Sequence, residues 1–286
     1  MIKPMSPKDR IILALDVDTL EEVRELVLEL KDYVGYFKIG LPLIINCGFE
    51  AVRLIEELGA KCYYDGKFHD IPNTVQKACI NLVKNNIHVF NIHIQGGSKM
   101  VASAVKAVNA TAKRLEKEPP VILGVTLLSS FGQRTLTEEL CVTKNIEDYV
   151  LQLAQVAKDS GLDGVVASAD EAKRIRKQIG DDFIIVCPAT RPTWAGVDDQ
   201  VRVDTPRKAI LSGVDFLVIG RPITKADDRI SAVKLIIDEI ETAIHKKYYD
   251  DIFRFIVKAC YSFSVQVFIT THSIEAIDGV LGTQDY

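Results

Sequence analysis

The chain has 286 residues, 48% of them hydrophobic and 26% charged, with 17 Gly and 10 Pro, a composition that supports a large core and excludes collagen-like, mucin-like and disordered classes. The 35 Lys and Arg against 39 Asp and Glu leave a formal charge of −4, which argues against a general polyanion-binding surface and still allows a local anion pocket. The length accommodates two average domains or one α/β barrel of about 200 to 250 residues. Six cysteines (Cys47, Cys62, Cys79, Cys141, Cys187, Cys260) form no CxxC pair, and MIKPMSPKDR leads directly into IILALD without a long apolar leader. Both features read as a cytosolic chain with reduced thiols. No uninterrupted apolar run of about 18 residues offers a membrane span.

In chain order, short β-rich runs occur at 11–15 (IILAL), 34–39 (VGYFKI), 59–64 (GAKCYY), 87–92 (IHVFNI), 121–127 (VILGVTL), 162–166 (LDGVV), 183–187 (FIIVC) and 214–219 (VDFLVI), each followed by a helical candidate. Continuously apolar strands mark a sheet covered on both faces. Leu20, Val23, Leu26, Val27 and Leu30 recur at helical spacing, as do Val101, Ala104, Val105 and Val108, and Ile230, Val233, Ile237, Ile240 and Ile244. Pro42 and Pro72 stand where a first helical turn begins, and Gly180 closes a helix over 170–179. Eight alternations predict an α/β fold of the closed (β/α)8 TIM barrel kind, with a doubly wound open sheet as the alternative. The pattern is complete near residue 249, which divides the chain into a barrel at 1–249 and a C-terminal appendage at 250–286. A β-like run in that appendage, VQVFITT, has no place inside an eight-stranded barrel.

The most informative segment is Asp65-Gly66-Lys67-Phe68-His69-Asp70-Ile71-Pro72. It follows CYY and precedes a helical candidate, at the carboxyl end of a strand, the face on which barrels carry their chemistry. Asp65 and Lys67 are two apart, so a continuing strand points both to one side. Asp70, beyond a bend, approaches them only through loop geometry or from another subunit. Asp16 ends IILALD and Lys38 lies in FKIG, so two cations and several anions surround one barrel mouth. A carboxylate beside a lysine keeps it protonated against desolvation. The set reads as a charged proton donor or an electrostatic clamp, with a solvated loop of alternating charge as the plain alternative. Gly220-Arg221, after the LVI of the eighth strand, offers backbone N–H groups and a guanidinium fork suited to a terminal phosphate.

These motifs together resemble the orotidine 5'-phosphate decarboxylase family over about residues 8–247: ALDVD at 14–18, FKIG at 37–40, DGKFHDIPNT at 65–74, VTLLSS at 125–130, and DDQVRVDTP followed by VIGRPIT at 218–224. The resemblance implies a ribulose-phosphate-binding type of barrel that converts orotidine 5'-monophosphate to uridine 5'-monophosphate and carbon dioxide in pyrimidine biosynthesis, with no cofactor and no metal. It implies that Lys38, Asp65, Lys67 and Asp70 form the catalytic charge network, and that Asp16 and Lys38 hold the ribose hydroxyls. It also implies a homodimer with shared sites, in which Asp70, Ile71 and Thr74 serve the neighbouring subunit. Ser129 matches the contact to the pyrimidine amide edge, and Gln200, Gly220 and Arg221 match the phosphate contacts. Relatives carry a PGIRP sequence where this chain has Pro188-Ala189-Thr190-Arg191-Pro192; Ala189 fits there only if the backbone does not require a positive φ. Arg191 is then a secondary phosphate candidate, and Arg202 orients the loop.

His69, His88 and His93 lack HxH or HExxH spacing and do not suggest a metal site. The nearest enzyme alternative is a metal-assisted relative resembling 3-keto-gulonate-phosphate decarboxylase or hexulose-phosphate synthase. That pattern places an acidic metal-associated side chain where this chain has Lys38. A noncatalytic nucleotide-binding barrel is the alternative of a different class. No basic-aromatic stripe suits nucleic acid. In the tail, residues 266–281 weakly resemble a switch-histidine segment of an ABC-related ATPase, with His272 as the histidine, but no GxxxxGK[ST] loop accompanies it to cradle phosphates.

Overall fold

The computed structural model describes residues 6–195 and 204–263. Eight strands, β1 (Ile11–Leu15), β2 (Tyr36–Ile39), β3 (Cys62–Phe68), β4 (Val89–His93), β5 (Val121–Val125), β6 (Gly164–Val166), β7 (Ile184–Cys187) and β8 (Phe216–Ile219), pair in parallel in sequential order. β8 closes on β1 through Ile12 opposite Val218, so the sheet is a barrel and not a doubly wound open sheet. Every strand overlaps its sequence-predicted run. The third differs most, starting at Cys62 and continuing through Lys67 to Phe68.

Strand periodicity explains the two cores. Ile11, Leu13 and Leu15 point outward into a large cluster with the helices, while Ile12 joins Tyr36, Val89, Val121, Leu123, Ile184 and Phe216 inside the barrel. Moving toward the strand C-termini, the inward positions change from these apolar residues to Lys38, Asp65, Lys67 and Asn91. A closed lower layer therefore supports a polar mouth.

The covering helices start where local chemistry allows. α1 (Leu20–Leu30) begins with a capping box between Thr19 and Glu22. α2 (Leu41–Cys47) and α4 (Pro72–Lys84) carry proline in their first turns, and α3 (Phe49–Glu57) lies between them. α5 (Ser98–Arg114) ends just before LEKEPP, and α6 (Ile146–Asp159) is capped by Asn145, whose side chain accepts from the Asp148 N–H. α7 (Ala169–Ile179) ends at Gly180 with φ 103°, a left-handed stop that favours glycine. The short α8 (Pro206–Leu211) and α9 (Arg221–Thr224) follow. α10 (Arg229–Phe263) continues as one helix past residue 249, so no backbone break marks the end of the barrel pattern. The VQVFITT run and residues 266–281 lie outside the described residues.

The amino-terminal end of the barrel is riveted by Arg176, whose guanidinium donates to the Gly213 carbonyl at 2.8 Å and to Phe183 O and pairs with Asp215. Asp215 also accepts the Ile185 N–H at 2.8 Å. Stability devices gather there, away from the charged mouth. Inside, Gly164 passes so close to β7 that a Cβ would lie 2.2 Å from the Ile184 carbonyl oxygen. Because backbone cannot yield as a side-chain tip can, Gly164→Ala should cost about 1–3 kcal/mol. Urea denaturation checks this, and an unchanged midpoint would contradict the close approach.

Candidate active site

A cavity of about 230 Å³ opens at the C-terminal ends of the strands. Asp16, Lys38, Asp65, Lys67, Ser129, Gly220 and Arg221, all singled out from the sequence, line it. Asp65 is 8% exposed and sits at the centre of the charges. Its Oδ1 is 2.7 Å from Lys67 Nζ and its Oδ2 is 3.2 Å from Lys38 Nζ. Burial alone would raise the Asp65 pKa; the Lys38 and Lys67 charges and the hydrogen bonds from Lys67 and Asn91 outweigh it, holding the carboxyl below its ordinary value. The acid is therefore an anion between two ammonium groups.

The local path of β3 makes this possible. Tyr64 pairs with Phe90 and Phe68 with Ile92, so four residues of β3 span what two span in β4. Gly66 turns through this bulge between the stacked Tyr64 and Phe68 rings, and a Cβ there would lie 2.8 Å from the Tyr64 ring. Lys67 has φ 45°, a conformation uncommon for a side-chain-bearing residue and typical of functional positions. Next to it, His93 ends β4, with its ring 5.4 Å from that of His69. Burial, and then the charges of His69 and Lys67, push the His93 pKa down to about 4. It adds no positive charge beside Lys67 at neutral pH.

The eighth strand delivers Gly220 and Arg221 to the same cavity. A Cβ on Gly220 would lie 3.1 Å from Asp16 Oδ2, so the bare backbone lets the strand end approach that carboxylate. From the seventh strand come Pro188, Ala189, Thr190 and Arg191, which also line the cavity, although the sequence offered only Arg191, as a secondary phosphate candidate. The buried Asp204 anchors this loop: its carbonyl accepts the Arg191 N–H at 2.9 Å, and its carboxylate accepts the Ala169 N–H at 3.1 Å and pairs with Lys208 at 2.7 Å.

Three expected residues do not reach the cavity of their own chain. Asp70 and Thr74 are exposed, Ile71 is 66% exposed, and the Asp70 carboxylate accepts the Ile71 N–H at 2.6 Å. Gln200 and Arg202 lie outside the described residues. Asn91 was missed from the sequence altogether. It is 1% exposed and bonded to both Asp65 and the Lys67 backbone; inside the apolar run IHVFNIH its only signal is a polar residue at an inward strand position.

Two lysines and two arginines around one cavity suit an anionic substrate, and their place at the strand ends defines the class: a barrel enzyme acting on a phosphorylated small molecule. Comparison with known proteins narrows the class. Residues 9–236 match the orotidine 5'-phosphate decarboxylase / HUMPS family, and the chain belongs to that family. It is 40% identical over 243 residues to the orotidine 5'-phosphate decarboxylase of Heliobacterium modesticaldum, covering 85% of this chain and 100% of that one. It is 43% identical over 239 residues to the enzyme of that name from Syntrophotalea carbinolica, covering 84% and 98% respectively. Among solved structures, orotidine 5'-phosphate decarboxylase from Lactobacillus acidophilus superposes with a TM-score of 0.72 at 34% identity, over 84% of this chain and 99% of that one. The family match stops well before residue 286.

Ala189 stands where the resemblance leads one to expect glycine, and its φ is 58°. The backbone keeps the left-handed turn that glycine adopts freely, so the alanine methyl is strained. Ala189→Gly should raise stability by up to about 1 kcal/mol, seen as a Tm increase of about 2–4 °C for a chain of this size. A lower Tm would mean that the turn carries no strain.

Proposed function

We infer that this chain decarboxylates orotidine 5'-monophosphate to uridine 5'-monophosphate and carbon dioxide, the carboxy-lyase step of pyrimidine biosynthesis. The observation that carries the reading is Asp65 held between Lys38 and Lys67 at the mouth of a barrel of this family. When the bond from C6 to the carboxylate breaks, its electron pair stays on C6 in an orbital outside the pyrimidine π-system. The Lys67 ammonium stabilises that developing charge and then gives C6 its proton. Its contribution to rate is the part of this interaction that is stronger in the transition state than in the bound substrate. Lys67 regains its proton from solvent, and Asp65 keeps it charged and placed.

The remaining assignments extend this reading. Lys38 and Asp16 hold the ribose hydroxyls, Ser129 meets the pyrimidine amide edge, and Gly220 and Arg221 take the 5'-phosphate with Gln200. Binding energy from this distant phosphate orients the base for the reaction. Lys38 stands where the metal-assisted relatives supply an acidic side chain, so its charge favours the nucleotide reaction without a metal. Among the described residues no cluster of His, Cys, Asp and Glu has metal-binding geometry, and no helix is long and apolar enough to cross a membrane. The free cysteines support a cytosolic enzyme, and the net charge of −4 supports a small-molecule substrate over nucleic acid. Residues 1–249 are the catalytic barrel; the remainder is an appendage outside the family match.

A homodimer with shared sites completes the reading. Asp70, Ile71 and Thr74 are exposed at the start of α4 and do not line their own cavity, and the large apolar residues Leu41 and Ile45 of α2 are 51% and 78% exposed on the neighbouring βα unit. Apolar exposure beside exposed site residues fits burial against a second copy. Lys67→Ala disables its own site and Asp70→Ala the partner's. Mixing the two variants should therefore restore orotidine 5'-monophosphate turnover to about one quarter of wild type, since about half the dimers are mixed and each regains one site of two. Absence of recovery in a demonstrated mixed dimer would place Lys67 and Asp70 in one subunit.

A further inference from the structure

Asn91 is a buried polar side chain at the mouth of the barrel to which none of the roles above has been given. Asn91 lies at an inward position of β4, opposite Leu123 of β5, which belongs to the apolar interior of the barrel. An apolar residue would fill that space without the cost of burying an amide. Asn91 instead makes three hydrogen bonds. Its Nδ2 donates to Asp65 Oδ1 at 2.7 Å and to the Tyr63 hydroxyl at 2.8 Å, and its Oδ1 accepts the Lys67 backbone N–H at 2.8 Å.

Two of these bonds bear on the charges that act on substrate. The bulge carries Lys67 out of register with β4 and into a positive φ, and Asn91 Oδ1 meets the Lys67 N–H there. Asp65 Oδ1 is shared between Lys67 Nζ and Asn91 Nδ2, while Oδ2 faces Lys38. One amide thus fixes the backbone from which the lysine side chain starts and the carboxylate at which it ends. We propose that Asn91 is the positioning residue that sets the Lys67 ammonium at C6, acting through Asp65 and the Lys67 backbone without touching substrate. The inference rests on the decarboxylase reading and deepens it.

The test uses the full chain, with Asn91→Leu and Asn91→Asp assayed on orotidine 5'-monophosphate across pH alongside circular dichroism and thermal melting. Asn91→Leu should lower kcat by about 100-fold, the scale expected when a reacting group is misplaced by about 1 Å, with KM changing far less because the phosphate contacts are untouched. Asn91→Asp keeps the acceptor for the Lys67 N–H, but its introduced carboxyl donates to Asp65 only when protonated. The Asp65 anion raises the pKa of that carboxyl, so the deficit should shrink as pH falls. A purely structural role would give neither a selective loss in kcat nor a pH-dependent deficit. The proposal is overturned by a folded Asn91→Leu enzyme with kcat within about threefold of wild type, by a deficit in Asn91→Asp that ignores pH, or by failure of both variants to fold, which would assign Asn91 to stability alone. Absence of turnover in the wild-type chain would instead overturn the decarboxylase reading itself.

Discussion

A carboxylate buried inside a protein is costly unless opposite charges and hydrogen bonds replace the water it has lost. Asp65 meets that requirement with Lys38 from β2, Lys67 from its own strand and Asn91 from β4. Three adjacent strands must keep their order and register for those partners to converge. The charge network thus depends on the barrel being closed and correctly staggered, and each ammonium it holds is already oriented before substrate arrives. Preorganisation of this kind lets an electrostatic contact act on a transition state without first reorganising its surroundings.

The fold separates the tasks. Apolar residues such as Ile12, Tyr36 and Phe216 close the lower interior, and the Arg176 cluster secures the amino-terminal loops. Beside the cavity, Lys67 and Ala189 both adopt positive φ. Such conformations persist when surrounding contacts over-determine them. For Lys67 those contacts are the Asn91 side chain and the Asp65 carboxylate; for the loop after Ala189 they include the backbone bond from Arg191 to Asp204.

Much of this was legible in the sequence because it is local. Runs such as IILAL carry a complete strand, and the two-residue spacing of Asp65 and Lys67 places both on the inner face. Helical periodicity identified Val23 through Leu30, and Gly180 as a stop. What could not be read depends on pairs far apart in the chain. Asn91 looks like an interruption of an apolar strand until β4 is paired with β3, and the β3 bulge exists only as a mismatch between those strands. The left-handed turn at Ala189 is hidden because alanine gives no signal for it. The apolar spacing of the last helix fades after Ile244, yet the backbone continues to Phe263. The motif around Asp70 gave identities, but a single chain does not bring Asp70 into its own cavity.

We propose that Asp65, holding Lys38 and Lys67 at the cavity, lets the decarboxylation proceed without a metal ion. The most direct measurement is the kcat of the chelator-treated full chain on orotidine 5'-monophosphate, with uridine 5'-monophosphate identified as product, before and after Mg2+ is added. Full turnover in the metal-free protein, unchanged by Mg2+, is the expected result. Turnover that vanishes with the chelator and returns with the divalent ion would contradict it.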